Sequence, residues 1–331
     1  MDNYQPPFTV NNEMLMLVSR ISENIGRIAE RNALNTKPHL RRDYRIRSIH
    51  SSLAIEANSL TLEETRAVID GNPVIGPEKE IREVQNAYKA YEQIPAIDPY
   101  KESDLLHTHK IMMDQIIADS GNYRHGNEGV FNGDVCVFMA PPPDMVPELM
   151  RQLFTWMKEN KGKIHPLILS SVFHYEFVFI HPFSDGNGRM ARLWQTSLLY
   201  RWKDIFQYIP LESQIQNFQD GYYQAISECH KNGNSDVFIL FMLQRIDEIL
   251  MHMLSEESLT GNDQLARTAR LLSLMEDRRE YTAMVLMQLL HLKSRRGLQG
   301  NYLHPAIETG KIQMTDPEHP RSKNQKYKRL Q

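Results

Sequence analysis

Cysteine is nearly absent from this 331-residue chain: Cys136 and Cys229 are the only two. Two thiols exclude a disulfide framework and a thiolate metal cluster, and they fit a reducing compartment. Long apolar runs are missing as well. The longest are broken by His174 and Glu176, or by Arg245, Asp247 and Glu248, so none reads as a membrane span. Neither sign of charge dominates, and a formal net charge of −3 gives no general pull towards nucleic acid or anionic lipid. Residues Met1 to Val10 lack a basic stretch followed by an apolar core, so no signal peptide is expected and the cytoplasm is the expected location. Several enzyme signatures are missing too. There is no Gly-x-x-x-x-Gly-Lys-Ser/Thr loop and no His-Glu-x-x-His, and His174-x-Glu176 is not followed by the Pro-Cys-x-x-Cys of a zinc deaminase. What remains is a globular composition, 41% hydrophobic, long enough for two domains with a smaller module attached.

One stretch concentrates chemistry: His181-Pro-Phe-Ser-Asp-Gly-Asn-Gly-Arg-Met-Ala-Arg192. The apolar run Val172 to Ile180 leads into it as a buried helix, and Pro182 disfavours helical geometry at His181, so the chain breaks there into a short loop. Gly186 and Gly188 let an anion approach their backbone N–H groups. The run from Arg189 to Trp202 reads as a helix whose unpaired N–H groups and positive dipole end face the same spot. Arg189 and Arg192 share a helical face, Asp185 offers an oxygen ligand for Mg²⁺, and His181 offers a base largely neutral near pH 7. Each residue alone is commonplace; their order is not.

That order resembles the signature of the Fic family, His-x-Phe-x-Asp-Gly-Asn-Gly-Arg-x-x-Arg, and every specified position matches. The resemblance implies a protein adenylyltransferase, which moves AMP from ATP to a Ser, Thr or Tyr hydroxyl with Mg²⁺ as cofactor. By that resemblance His181 is the base and Asp185 the metal ligand. Gly186, Asn187, Gly188, Arg189 and Arg192 would bind the phosphates. Family members that transfer a phosphoryl group instead carry Lys where Gly188 stands, so Gly188 favours AMP. Upstream, Ser52-Leu-Ala-Ile-Glu56-Ala-Asn58 is similar to the family's inhibitory motif, in which the glutamate pairs with the second arginine, here Arg192. Ala57 stands where glycine is usual, and alanine tolerates a left-handed helix cap less well. Some members also use this glutamate to remove AMP, and both activities stay open here.

The expected fold is mainly α. A Fic helical core carries a β-hairpin flap, Val130 to Met139 with Asn132-Gly133 at its turn, and a small winged-helix module follows. In the family such a flap aligns the target segment. The expected divisions are an N-terminal helical region over 1–98, the catalytic core over 99–255 and the winged-helix-like module over 263–331. Helices are read at Met145–Glu159, Pro166–Ile180, Ile215–Lys231, Asp236–Leu254, Leu265–Glu276, Thr282–Leu290 and Arg295–Thr309. Thr61 to Glu64 is a capping box opening another. The basic patch Lys37 to Arg47 reads as a solvated helix face, and His107, His109, Tyr222 and Tyr223 as packing residues. Beyond Ser294 basic residues outnumber acidic ones eight to three, which suits phosphate contacts. The partners implied are a protein substrate or the chain itself, and no membrane. DNA contact through Arg295 and Arg296 and homo-oligomerisation stay open. The second function class is a DNA-binding regulator whose Fic site senses nucleotide or modifies the protein itself.

Overall fold

The computed structural model describes residues 4–30, 38–132, 135–276, 279–290, 292, 294–317, 319–320, 322 and 325–330. Internal contacts divide the chain into two compact units, Met1–Met251 and His252–Gln331.

The first unit is built around two consecutive helices, α7 (Pro166–Ile180) and α8 (Asn187–Trp202). Both are buried nearly all round, from Leu167 to Phe177 on one and from Met190 to Leu199 on the other. Helices buried on nearly every face must be enclosed, and the neighbours supply the enclosure. Before them in the chain come α1 (Asn12–Glu30), α2 (Pro38–Ile55), α3 (Leu62–Ile69), α4 (Glu78–Glu92), α5 (Glu102–Met112) and α6 (Val146–Asn160). After them come α9 (Leu211–Asn217), α10 (Gln219–Asn232) and α11 (Asp236–Ser273). Helix α6 packs on α7, α5 touches α4, α6 and α8, and α2 lies against α9, α4 and α8. Thr61 caps α3 with a full capping box to Glu64, as its sequence predicts.

The flap is the antiparallel hairpin β1 (Gly129–Asn132) and β2 (Val135–Met139). Val130 faces Phe138, Phe131 faces Cys136, and a bulge separates the two pairs. The expected turn residue Gly133 lies outside the described residues.

Three expectations need correction. The single helix read over Ile215–Lys231 is two, α9 and α10, because Phe218 leaves helical geometry at φ −119°. The separate helix read over Leu265–Glu276 is the continuation of α11, which runs unbroken from Asp236 to Ser273. The helix read over Arg295–Thr309 is split into α13 (Arg295–Leu298), a wider turn over Gln299–Leu303, and α14 (His304–Glu308). Pro305 at the start of α14 explains the second boundary, since it lacks an N–H to continue the ladder.

In the second unit, β3 (Glu280–Thr282) precedes α12 (Ala283–Leu289), and β4 (Ile312–Met314) and β5 (Lys326–Arg329) follow α14. The strands form an antiparallel sheet in the order β3-β5-β4, with Tyr327 facing both Tyr281 and Met314. Leu271, Leu286, Leu298, Leu303 and Tyr327 belong to one buried cluster, so this unit has its own core. Among the described residues no helix is long and apolar enough to cross a membrane.

Candidate active site

Helix α7 ends where its sequence says it must. His181 adopts left-handed geometry (φ 52°, ψ 59°) while its N–H still bonds the Phe177 carbonyl at 2.9 Å. A non-glycine residue held there stores about 1 kcal/mol of strain, so the surroundings must over-determine it. Arg124 does so. Its guanidinium is buried and donates to the carbonyls of His181 (2.7 Å), Gly126 (2.7 Å), Pro141 (2.6 Å) and Ile180 (3.3 Å), and its own N–H bonds the Pro182 carbonyl at 2.9 Å. One side chain therefore joins the end of α7 to both stems of the flap.

The imidazole of His181 lies with Nδ1 3.3 Å from the Val178 carbonyl. A carbonyl can only accept, so Nδ1 carries the proton and Nε2 is left as the base. Burial pushes the His181 pKa down, which keeps the ring neutral at pH 7.

The loop that follows is braced from within. Phe183 is fully buried and stacks on His109, ring centres 3.6 Å apart. The Gly121 N–H donates to His109 Nδ1 at 2.9 Å, so Nε2 holds the proton and donates to the Asp185 carbonyl at 3.0 Å. Burial lowers the His109 pKa to about 4, consistent with that neutral form. Asn187 is buried with its amide taken up by Phe183: it accepts from the Phe183 N–H at 3.0 Å and donates to the Phe183 carbonyl at 2.7 Å. The structure thus places the Asn187 side chain inside the loop, where it sets the loop's curvature. Gly186 sits at φ 84°, and an added Cβ would lie 2.7 Å from Met113 Sδ, so glycine is required there. Met190 is the first residue of α8 bonded back along the helix, to the Gly186 carbonyl at 2.9 Å. The N–H groups just before it are left pointing out of the helix start.

Asp185 projects beside that helix start. Its Oδ1 accepts from the Gly186 N–H at 2.6 Å and from Arg189 Nη2 at 2.8 Å. Arg189, 4% exposed, also pairs through Nη1 with Glu83 at 3.1 Å. Arg192, 2% exposed, is clasped by the end of α2: Nε donates to Ser52 Oγ at 3.0 Å, and Nη2 to the Ser52 carbonyl at 2.9 Å and to Glu56 Oε1 at 2.8 Å. Desolvation works against the Arg192 charge, yet with Glu56 and its other partners its pKa stays above the ordinary value. Gly188 makes this reach possible, since a Cβ there would collide with Glu56 Oε1.

The alanine at position 57 does not spoil the cap. Ala57 adopts φ 65°, its N–H bonds the Ala54 carbonyl at 3.0 Å, and the Asn58 N–H bonds Leu53 at 3.1 Å. These are the two bonds of a Schellman ending, made with alanine in the usual glycine place. Nearby, Tyr222 is buried with its hydroxyl 2.9 Å from His174 Nε2, whereas Tyr223 is half exposed. Phe138 of the flap stacks on His230, ring centres 4.0 Å apart.

Of the residues that sequence singled out, the structure gathers all nine (Ser52, Glu56, His181, Asp185, Gly186, Asn187, Gly188, Arg189 and Arg192) at the α7–α8 loop and the end of α2. Arg124 and Glu83 carry no functional signal in the sequence, His109 reads there as a packing residue, and Asn58 appears only as the end of the motif that holds Glu56.

Known proteins bear on this arrangement. Residues 99–199 match the Fic/DOC family, and residues 266–330 match the C-terminal domain of filamentation induced by cAMP protein Fic-like. A crystal structure of a Fic family protein from Desulfovibrio desulfuricans G20 is 42% identical, with a TM-score of 0.74, over 99% of this chain and 98% of that one. The chain belongs to the Fic family. It is 28% identical over 208 residues to the protein adenylyltransferase Fic of Nematostella vectensis, covering 59% of this chain and 45% of the relative. With the protein adenylyltransferase fic-1 of Caenorhabditis elegans it shares 24% identity, over 63% of this chain and 42% of the relative. The chain thus spans less than half the length of these relatives. A Fic-1 structure from C. elegans has the same fold, with a TM-score of 0.62 at 20% identity over 75% of this chain and 73% of that one.

Proposed function

We propose that this protein transfers AMP from ATP to a hydroxyl of a protein, its own or another's, and that Glu56 restrains the reaction. The observation that carries this reading is the convergence of a neutral base, a carboxylate and a helix N-terminus at one loop, with Arg192 held by Glu56 across Gly188. His181 Nε2 takes the proton of the attacking hydroxyl, an assistance worth about 10²–10⁴-fold in rate. The hydroxyl oxygen bonds the α-phosphorus, the bond from that phosphorus to the bridging oxygen breaks, and pyrophosphate leaves. The N–H groups at the start of α8 face the developing charge. Arg189 and Arg192 offer fork-shaped donors to the outer phosphates.

Among the described residues no cluster of three or more protein ligands could hold a metal alone. The donor set fits Mg²⁺ nonetheless, because Asp185 is part-exposed and Mg²⁺ is commonly held by one or two carboxylates together with substrate phosphates. Mg²⁺ bound there would neutralise phosphate charge. With Glu56 on Arg192, that arginine is occupied and the outermost phosphate lacks its seat.

The test is intact mass after incubation with Mg²⁺-ATP of wild type, Glu56→Gly, and Glu56→Gly combined with His181→Ala, alone and in cell lysate. An AMP adduct on the protein or on a lysate protein is expected, strongest with Glu56→Gly and lost in the double variant. No adduct anywhere, with ATP binding intact, would sink the proposal.

A further inference from the structure

Glu83, the buried partner of Arg189, has no part in the chemistry just described, yet it is placed to matter. Glu83 lies on α4, and its two oxygens serve different elements. Oε1 takes Arg189 Nη1 at 3.1 Å, while Oε2 takes the Asn58 side-chain amide at 2.8 Å. Asn58 closes α2 immediately after Glu56. Besides its backbone bond to Leu53, its Oδ1 accepts from the Leu60 N–H at 3.2 Å and its amide reaches the Glu80 carbonyl at 3.2 Å. On the far side, Arg189 Nη2 holds Asp185 at 2.8 Å. A continuous line of contacts runs from the helix that bears Glu56 to the carboxylate suited to the cation.

Glu56 by itself is a light anchor. Its side chain is 35% exposed and meets Arg192 through one oxygen. A part-exposed contact of this kind holds weakly, whereas Glu83 and Arg189 are both buried, and removing one partner of such a pair strands the other. The direction in which Glu56 points is therefore imposed by the backbone at 57–58, which is held by its two helix-ending bonds and by the Asn58 side chain, whose charged partner is Glu83.

We propose that Glu83 is a positioning residue that latches the inhibitory helix to Arg189, so that inhibition is fastened at two points and not at Glu56 alone. The inference rests on the adenylyl-transfer reading and adds a regulatory residue to it. Loosening the latch leaves Glu56 in place but lets its helix end stray from Arg192, and ATP then binds with its outer phosphate seated more often.

Two substitutions probe it. Asn58→Asp keeps the acceptor for Leu60 but sets a carboxylate against Glu83. Glu83→Gln keeps the shape, but its one remaining oxygen cannot accept from both Arg189 and Asn58. Each is made in wild type and in Glu56→Gly, with transfer rates read by mass against ATP concentration and ATP affinity read by calorimetry. In the wild-type background both are expected to raise transfer at low ATP by about threefold or more, through a lower KM for ATP, and to tighten ATP binding. With Glu56→Gly already present neither is expected to add anything. No change in the wild-type background overturns the latch. So does an equal loss in both backgrounds, which would make Glu83 a support of the fold or of Arg189 alone. If Glu56→Gly itself transfers nothing, the adenylyl-transfer reading fails, and calorimetry still decides the latch: ATP affinity unchanged from wild type would overturn it.

Discussion

At the scale of single residues, the behaviour of this site turns on which imidazole nitrogen bears a proton. In the proposed reaction His181 acts through Nε2, and burial holds its pKa below the ordinary 6.5. Because the neutral ring is the working form, transfer is expected to be flat through neutrality. It then declines as pH falls through a value below 6.5. A profile of initial rates for Glu56→Gly between pH 5 and 8 checks this, and a decline beginning at or above 7 would contradict it. The residues written in the signature were legible because a linear motif preserves their spacing. Arg124 was not. It works by giving its N–H groups to four backbone carbonyls, and carbonyls have no residue type to recognise in a sequence. His109 likewise reads as an ordinary core histidine until Gly121 and Asp185 are seen on its two nitrogens. The motif places Asn187 at the phosphate loop but does not show that its side-chain amide is folded onto Phe183.

At the scale of elements, the end of α2 is a strained cap in a decisive place. Ala57 bears a Cβ in left-handed geometry, which costs about 1–2 kcal/mol relative to a relaxed residue, partly offset in a glycine by its greater freedom when unfolded. Ala57→Gly is therefore expected to stabilise the protein by up to about 1 kcal/mol, to raise the melting temperature by a few degrees, and to lower basal transfer by firming the end that aims Glu56. Calorimetric melting together with the mass assay reads both, and a variant that melts lower and transfers faster would refute the assignment. Most helices were legible from apolar periodicity and punctuation by Pro, Gly and capping residues. The failures share a cause: tertiary surroundings set the boundary. Phe218 breaks α9 from α10 without a breaker in the sequence, α11 continues where a change of domain suggested a stop, and the three-residue strand β3 is too short to show alternation.

At the scale of the whole molecule, the question is what the second unit does with its positive charge. Part of it is already taken up. Arg329 donates to the Leu272 carbonyl at 3.1 Å and to that of Met275 at 3.4 Å, and Lys326 pairs with Glu280 at 3.1 Å. The side chains of Arg296, Arg321 and Lys323 lie outside the described residues. Groups tied down within the fold are less free to reach phosphates, and affinity for a duplex rises with the number neutralised. Duplex DNA is accordingly expected to show no salt-sensitive mobility shift with this protein. A shift at low salt, abolished by Arg295→Ala with Arg296→Ala, would instead favour the regulator.

Gly188 carries an implication for how such a protein can change over generations. The space above its Cα is the space the Glu56 carboxylate fills, so a side chain at 188 would force Glu56 to shift from its place on Arg192. A lysine at this position would have to displace the Glu56 carboxylate before its own side chain could fit. A substitution that enlarges residue 188 therefore alters the hold on Arg192 as well as the phosphate loop, so the two cannot be tuned separately at this position.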